Sequence, residues 1–342
     1  MEKILQPSTG IDNVGVGNQW THNLRKGPFY HHVTYIGTLT KTAATAGFTS
    51  PTLADFISLL EVRVNTEARR VIQAIELDTI QQAWGSIYAA VATDGIANDL
   101  ITAVADVVNG ANTTRVTTFQ FTIYFTEPWR NSYVAQRFFG LPTLWPSGQT
   151  VDIQVAAKTP ANALITNIVI RAEEFIDFAK GPHLKTLANG QPDTTSPAIL
   201  PMVNFWRLNK NYSGTDFSIT DWGSVGGKLQ QVSIFGQAND FLTKFKLLGD
   251  NIVKRDTTKA RNDQLNVTYE FDYPIPTLTA PYDKANVTHI ALDVSDDVTD
   301  WFQFDQYKNV ELALTLNQAA AANKVLYAIV QAYDVIQLPA KA

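Results

Sequence analysis

The sequence predicts a mainly β protein made of two tandem domains of sandwich or jelly-roll type, with short helices in the loops. Three observations support this fold class. Apolar and polar residues alternate in several runs that are rich in Thr and Val. A segment that begins near residue 150 recurs near residue 309, and a polar stretch with Gly and Pro separates the two halves. A chain of 342 residues is long enough for two cores.

The alternation is clearest in three runs. In 116–125, Phe119, Phe121 and Ile123 fall on one face, and Thr and Gln fall on the other. The runs 265–271 and 309–316 show the same pattern, and each predicts a half-buried antiparallel strand. Weaker runs predict further strands at 32–40, 57–64, 70–77, 150–156, 165–172, 229–235, 287–294 and 324–331.

Helical spacing is rarer than strand alternation. Apolar residues three or four positions apart predict short helices over 79–93, 97–108, 132–139 and 239–248. Residues 1–27 contain Pro7 and four glycines but few periodic apolar positions. This stretch therefore predicts an irregular N-terminal arm that becomes ordered on a partner surface.

The internal repeat defines the domains. Segment 150–178 resembles segment 309–338, and an Ala- and Asn-bearing turn follows the first strand of both. The matched aliphatic residues are Val151, Ile153 and Val155 in the first copy and Val310, Leu312 and Leu314 in the second. An offset of about 159 residues is far longer than a solenoid or propeller period, so it indicates a duplicated domain. We expect an arm at 1–27, a first domain at 28–182, a linker at 183–198 and a second domain at 199–342.

Composition excludes several classes of function. The chain has no cysteine, which rules out disulfides, Cys-ligated zinc, iron–sulfur centres and a Cys nucleophile. A net charge of −5 gives no electrostatic footprint for nucleic acid. The sequence shows no secretory signal and no apolar run of ~20 residues, so we expect a soluble protein made in a cytoplasm. Charged residues make up 17%, against ~25% in typical domains, which indicates that part of the surface is covered.

No group of residues predicts a catalytic or cofactor site. The run 293–300 is the best cation candidate because Ca²⁺ prefers clustered oxygen ligands, but it lacks the EF-hand spacing, and a solvated loop also explains it. Its aspartates are Asp293, Asp296, Asp297 and Asp300. His31 and His32 are adjacent on a predicted strand and should point to opposite faces, which disfavours a shared metal. The other histidines (His22, His183 and His289) stand alone in the sequence.

Two further stretches are interpreted as structural. The segment Gly223–Lys228 has glycines and a lysine but not the spacing of a phosphate-binding loop, so it predicts a turn. Basic residues gather between Lys244 and Arg261, with little aromatic interleaving. This stretch predicts a solvated loop or a contact with an acidic neighbouring subunit rather than a nucleic-acid site.

The order of these elements resembles that of the double jelly-roll major capsid proteins. This lineage includes the coat proteins of tailless, membrane-containing icosahedral phages and the adenovirus hexon. Segment 68–88 resembles a strand running into the helix of the family's first roll, where Trp84 would pack on the sheet. Segments 117–125 and 127–142 resemble its F strand and helix-bearing FG loop, and 292–317 and 325–338 resemble the closing strands of its second roll.

The resemblance covers most of residues 28–338 and implies two tandem eight-stranded jelly rolls. It also implies a homotrimeric, pseudo-hexagonal capsomer that tiles an icosahedral shell, with no catalytic residue and no cofactor. The implied partners are further copies of the chain, neighbouring capsomers, minor capsid or penton proteins, and the internal viral membrane, which the N-terminal arm would reach. The implied location is the virion, after assembly in the host cytoplasm.

Two alternatives compete with a shell protein. The first is a carbohydrate- or receptor-binding β protein, in which Trp129, Trp145, Trp206 or Trp222 would stack on sugars. The second is a jelly-roll hydrolase that uses Glu173 or Glu174 together with Asp177. Strand alternation places Glu173 and Glu174 on opposite faces, which weakens the second alternative.

Overall fold

The structure is a computed structural model, which shows a protein built almost entirely of strands. It describes residues 3–8, 10–74, 76–77, 79–81, 100–103, 106–127, 139–143, 152–177, 188–191, 199–236, 242–269, 287–292 and 301–337. In the first half, the elements are β1 (Lys3–Ser8), β2 (Ile11–Asp12), β3 (Gln19–Asn23), β4 (Phe29–Ala44), α1 (Leu53–Phe56), β5 (Leu59–Val64), β6 (Glu67–Ile72), β7 (Leu100–Ala103), β8 (Val107–Asn109), β9 (Asn112–Tyr124), β10 (Leu141–Pro142), β11 (Ile153–Lys158) and β12 (Ile165–Asp177).

The second half continues with longer strands. Its elements are β13 (Ile199–Ile219), β14 (Lys228–Phe235), β15 (Leu242–Gly249), β16 (Ile252–Thr258), α2 (Lys259–Tyr269), β17 (Val287–Ala291), β18 (Phe302–Gln303), a 3₁₀ turn (Phe304–Gln306) and β19 (Val310–Gln337). Among the described residues, no helix has the length and apolar character needed to cross a bilayer.

The strands form two sheets. The first sheet has the order β1-β12-β4-β9-β7, with β10 beside β4 and β8 beside β9. The second sheet runs β16-β15-β19-β13-β6-β5-β11-β3-β2 and therefore crosses from one half of the chain to the other. The crossing is a short parallel contact between β6 and β13, at Arg70 and Phe205, whereas the other described strand pairs are antiparallel.

Two apolar cores lie between the layers. The first includes Trp20, Tyr35 and Phe121 and extends into the second half of the chain at Phe205. The second lies within the second half, where β15 packs against β14 and both ends of β19. Strand β19 pairs with β15 over residues 310–316 and with β14 over residues 327–333, so its two ends contact different strands around the second core.

Two of the three clearest alternating runs, 116–125 and 309–316, are confirmed as strands because they lie in β9 and β19. In β9, Phe119, Phe121 and Ile123 are completely buried, as the alternation predicts. In β19, the alternating aliphatic residues from Val310 to Leu316 are all buried. In these two runs the one-sided apolar face identifies the side of the strand that covers a core.

Several local predictions are wrong. The helix predicted over 239–248 is wrong over 242–248, because residues 242–249 are strand β15. A register irregularity between Leu242 and Lys244 shifts the strand so that apolar residues three apart, Leu242 and Phe245, share its buried side. Residues 265–269 are helical rather than extended because they end α2. Residues 100–103 and 107–109 are strands rather than part of a helix, and residues 74 and 76–77 are helical rather than extended.

The N-terminal segment is not the irregular arm that its composition predicts. Residues 3–8 pair with β12 at the edge of the first sheet, and residues 19–23 pair with β11 in the second sheet. Backbone pairing with these neighbours orders the segment although its apolar pattern is weak. Apart from Phe139, the helix predicted over 132–139 lies outside the described residues, as does most of the helix predicted over 79–93. The domain boundaries at 182 and 198 also lie outside them and stay predictions.

Candidate functional site

The outer face of the first sheet is covered by threonines in facing pairs. We call this surface the threonine face: Thr34, Thr38 and Thr42 of β4 lie opposite Thr122, Thr118 and Thr114 of β9. The hydroxyl oxygens of the first and third pairs are 2.9 Å apart. Cross-strand threonine pairs stabilise a sheet while leaving its surface uncharged. Thr34 and Thr122 are already buried, at 7% and 3% exposure, and the other two pairs are half-buried. The uncharged area that another protein surface can cover without desolvating charges is therefore centred on the Thr38 and Thr42 pairs.

Charge is sparse on this face. On β12, Arg171 and Glu173 face the same side, and they form an ion pair of 3.8 Å across one strand position. Next to them, Val169 is 54% exposed and lies opposite Thr38. The prediction that part of the surface is covered stays a prediction, and this face is a described surface whose low charge suits it.

A buried polar network links the two sheets of the first half. The His22 Nε2 atom lies 3.2 Å from the Glu174 carboxylate and 2.8 Å from the Ser8 hydroxyl, while Nδ1 lies 3.0 Å from the Tyr35 hydroxyl. Arg25 Nε lies 3.3 Å from the other carboxylate oxygen. Strands β1, β3, β4 and β12 all contribute to this cluster, so it fixes the N-terminal segment against the sandwich.

The network also shifts ionisation equilibria. Burial alone would raise the pKa of Glu174, but hydrogen bonds with His22 and Ser8 and the charge of Arg25 outweigh burial and lower that pKa. Burial raises the pKa of Tyr35 well above its ordinary value, and the charge of Glu174 adds to this effect. The Glu174 carboxylate therefore stays ionised and the Tyr35 hydroxyl stays neutral, which suits a structural role for the network.

A second polar cluster joins the two halves of the chain. Arg70 of β6 is 3% exposed, and its guanidinium donates to the Val203 carbonyl at 2.9 Å and to the Tyr124 carbonyl at 2.7 Å. It also lies over the ring of Phe205, 4.7 Å from the centroid, and near that of Phe125. Burial lowers the pKa of Arg70 to about 10, so it stays charged at neutral pH.

Further contacts cross the same junction. Arg207 of β13 forms a 3.0 Å ion pair with the buried Glu76, and Gln230 donates to Glu127 at 2.5 Å. Polar groups with specific geometry fix two surfaces in one relative orientation more strictly than apolar contact does. The two halves are therefore joined by specific polar contacts as well as by apolar packing.

Besides Ser8 and His22 in the buried network, the described residues bring a second serine and histidine to hydrogen-bond distance, and such a pair has the chemistry of a nucleophile and a base. His289 Nδ1 lies 2.9 Å from the Ser233 hydroxyl and 3.1 Å from the Gln231 amide. Ser233 and His289 face each other across β14 and β17, and Ser233 is completely buried. A nucleophile without access to substrate does no acyl transfer, so this pair is a buried cross-strand contact.

The carboxylates proposed for a hydrolase do not form an open site. Glu174 is completely buried in the polar network, whereas the Glu173 side chain is 27% exposed on the other side of the strand, as the alternation predicts. Asp177 is also completely buried. Within the described ranges, no three metal-binding side chains come together. The candidate calcium ligands Asp293, Asp296, Asp297 and Asp300 lie outside the described residues, as does His183.

Two other sequence expectations have clear outcomes. The side chains of His31 and His32 do not point to fully opposite faces, because β4 has a bulge opposite Phe175 and Ile176. The centroids of the two imidazole rings lie 5.3 and 4.8 Å from the centroid of the Phe175 ring. The basic stretch is largely neutralised within the fold. Lys244 pairs with Asp256 at 2.8 Å, and Lys259 pairs with Asp263 at 2.9 Å.

The tryptophans do not form a sugar-binding platform in the described part of the fold. Trp222 is 5% exposed, and its indole N–H donates to the Val310 carbonyl at 2.8 Å. Trp206 is partly buried against the second core. Trp129, Trp145 and Trp84 lie outside the described residues. A buried indole cannot stack on a saccharide, so the carbohydrate-binding alternative is not favoured.

Sequence reasoning missed both polar clusters. His22 and Glu174 are 152 positions apart, and Arg70 and Val203 are 133 positions apart. Each of these residues has an ordinary sequence context. The only available signal was a charged residue at an inward position of an alternating strand, such as Glu174 after Ala172 in β12.

Comparison with known proteins places the fold in a defined class. No protein-family model matches the sequence, and no curated protein matches it either. Among solved structures, similar folds are those of viral major capsid proteins, and the architecture is the mainly β double jelly roll that the sequence predicts.

The similarity covers nearly the whole chain. The major capsid protein of bacteriophage PM2 matches with a TM-score of 0.64 and 15% identity, over 99% of this chain and 100% of that one. The major capsid protein of Sulfolobus turreted icosahedral virus matches at 0.62 and 11%, over 97% of both chains. The PBCV-1 virus capsid protein matches at 0.61 and 11%, over 98% of this chain and 94% of that one.

Proposed function

We propose that this chain is a viral major capsid protein, the structural subunit of an icosahedral shell. The observation that carries the proposal is the end-to-end match of both halves to capsid proteins of a phage, an archaeal virus and PBCV-1. A match to one half would support a jelly roll of any function, whereas a match to the complete two-roll unit supports the role that this unit has in those proteins.

The mechanism is geometric. Two similar rolls in one chain give a trimer six near-equivalent sides around a threefold axis, so the trimer packs hexagonally while its own symmetry stays closed. The polar junction at Arg70 supports this role because a rigid angle between the rolls makes the six sides equivalent. The threonine face supplies an uncharged flank for contacts between copies. The proposal assigns no reaction, cofactor or nucleic-acid site to the chain.

The proposed partners follow from the same role. They are two further copies in the trimer, neighbouring trimers, the minor or penton proteins that close a shell at its vertices, and the internal membrane of the virion. The proposed location is the virion, after assembly in the host cytoplasm. The ordering of residues 3–8 and 19–23 within the sheets favours other surfaces over a free arm for the membrane contact.

The test is the solution mass of the purified chain by light scattering, read with negative-stain images. We expect a particle of three times 37.8 kDa with a pseudo-hexagonal outline. Replacing Thr38 and Thr118 with arginine should lower the trimer fraction, because it places two charges in the middle of the threonine face. The matched control is arginine at both Ala260 and Gln264, two exposed positions of helix α2. A wild-type chain that stays monomeric at high concentration contradicts the proposal.

A further inference from the structure

Four loops meet at one end of the first roll. We call them together the loop tip: residues 13–18, 44–50, 107–112 and 159–164. The Thr45 amide donates to the Ala111 carbonyl at 2.7 Å, which joins the second loop to the third. The Thr159 amide donates to the Asn18 carbonyl at 3.1 Å, which joins the fourth loop to the first. Leu164 accepts from the Thr42 amide at 2.8 Å, so the fourth loop lies against the end of β4.

The loop tip contains no charged residue. Its sequences are NVGVGN, ATAGFTS, VVNGAN and TPANAL. Loops that face water ordinarily carry charged residues as well as Gly, Asn and Ser, and charged residues make up 17% of the whole chain. An uncharged surface built from four separate segments is therefore a property of this place in the fold and not of one segment's composition.

Aliphatic side chains project from this surface. Val107 is 55% exposed, Val108 is 59% exposed and Leu164 is 43% exposed. The two valines lie on β8, next to the β8–β9 turn, where Gly110 adopts a φ of +62°. A tight turn holds them at a projecting edge, where burial against the protein's own core is excluded.

The charged groups around the loop tip leave it neutral. Asp106 precedes the valines and forms a 2.5 Å ion pair with Arg115. The ammonium group of the buried Lys41 lies 3.8 Å from the Asp55 carboxylate. Asp12 and Lys158, which border two of the loops in sequence, are both exposed and have opposite charges. The surroundings therefore give neither an anionic nor a cationic field.

We propose that the loop tip is a lipid-contacting surface that inserts its aliphatic residues into the interfacial region of an uncharged bilayer. Convex aliphatic side chains on uncharged loops match a deformable apolar phase, which needs no preformed recess. A contact in which these side chains insert into a second copy would need such a recess, but the larger described cleft, about 520 Å³ in the second roll, presents Asp221, Lys308 and Glu311 instead.

This inference assigns the membrane contact of the proposed function to the loop tip, and in that respect it rests on the proposed function. Its physical basis is separate, however, because it depends on the loop tip and not on the trimer. Binding to vesicles and formation of trimers are measured independently. Failure of the one therefore leaves the other standing.

The test is flotation of the purified full-length chain with phosphatidylcholine vesicles. We expect the wild-type chain to float with the vesicles, with little change when the salt concentration is raised. A double variant with Val107→Asp and Val108→Asp should partition at least about tenfold more weakly, since burial of each valine contributes on the order of one factor of ten. Circular dichroism checks that the variant keeps its strands, which we expect because both positions are exposed.

The matched control uses the β15–β16 hairpin of the second roll. Ile252 and Val253 are 60% and 50% exposed beside a tight turn, but Asp250 and Lys254 flank them. The variant with Ile252→Asp and Val253→Asp should float like the wild type. The proposal is overturned if the wild-type chain does not float, if it floats only with anionic lipid, or if both double variants lose binding equally. It is also overturned if the valine variant changes only the oligomeric mass, because the loop tip is then a contact between copies.

Discussion

Replacement of Arg70 by methionine should weaken the junction between the two halves and lower the free energy of unfolding. Methionine keeps the length of the side chain and much of its packing between Phe125 and Phe205, but it removes the donors to Val203 and Tyr124. A hydrogen bond from a charged group contributes about 1.5–3 kcal/mol, and a desolvated cation–π contact contributes about 1–2 kcal/mol. Removing a buried charge regains part of this sum because its desolvation cost disappears. We expect a net loss of about 3 kcal/mol in the free energy of unfolding.

The assay is equilibrium denaturation in urea, followed by tryptophan fluorescence and by circular dichroism, with refolding curves to establish reversibility. The control is Arg171→Met, since Arg171 is 68% exposed and its 3.8 Å ion pair with Glu173 contributes little. We expect the control to lie within about 0.5 kcal/mol of the wild type. If Arg70→Met also stays within that range, the junction is held by apolar contact alone, and the reasoning from its polar geometry is wrong.

Three further perturbations test other parts of the fold. The pKa of Glu174 is lowered in the folded chain, so its ionised network contributes stability that is present at neutral pH and lost as pH falls through that pKa. Denaturation between about pH 6 and pH 3 should therefore show a steeper loss for the wild type than for Glu174→Gln, and parallel curves would contradict this. Gly37→Ala should abolish soluble expression, because a Cβ would lie 2.1 Å from the Val169 carbonyl oxygen, whereas Thr38→Ala should be tolerated. Asn262→Ala should cost about 1–3 kcal/mol and increase hydrogen exchange over 259–269, because Asn262 is completely buried and donates to the His289 carbonyl at 2.7 Å.

The fold class was predictable because alternation reports which face of a strand meets a core. In β9 and in the first part of β19, the buried residues are the alternating apolar ones, and the repeat between the halves indicates duplication without further information. The local failures have a common cause: the pattern described a segment in isolation. In β15, a bulge changes the phase of the apolar residues.

Helix α2 shows the opposite failure, in which polar contacts decide the structure. Its start is stabilised by the Thr258 hydroxyl, which accepts from the Arg261 amide at 3.2 Å. Lys259 and Asp263 pair one turn apart, and Asn262 anchors the helix to β17. None of these polar contacts requires an apolar stripe in the sequence of the helix. Alternation at its C-terminal end therefore suggested a strand where capping and pairing produce a helix.

The candidate surfaces were less predictable than the fold. The low charge content indicated covered surface but gave no location for it. The threonine face exists because the register sets Thr34 opposite Thr122, and the loop tip exists because four segments converge. Register and convergence are properties of long-range pairing, and a single sequence contains no direct record of them.

The register of β1 has a consequence for how the chain is made. Lys3 pairs with Asp177, so the first sheet cannot close its edge until about half of the protein has left the ribosome. At ~5–20 residues per second this delay is about 10–35 s, during which β1 has no partner. The second half repeats the constraint, since Ile199 waits for Gln337. Synthesis therefore exposes unpaired strand edges twice in succession, and the nascent chain is open to edge-to-edge aggregation during both intervals.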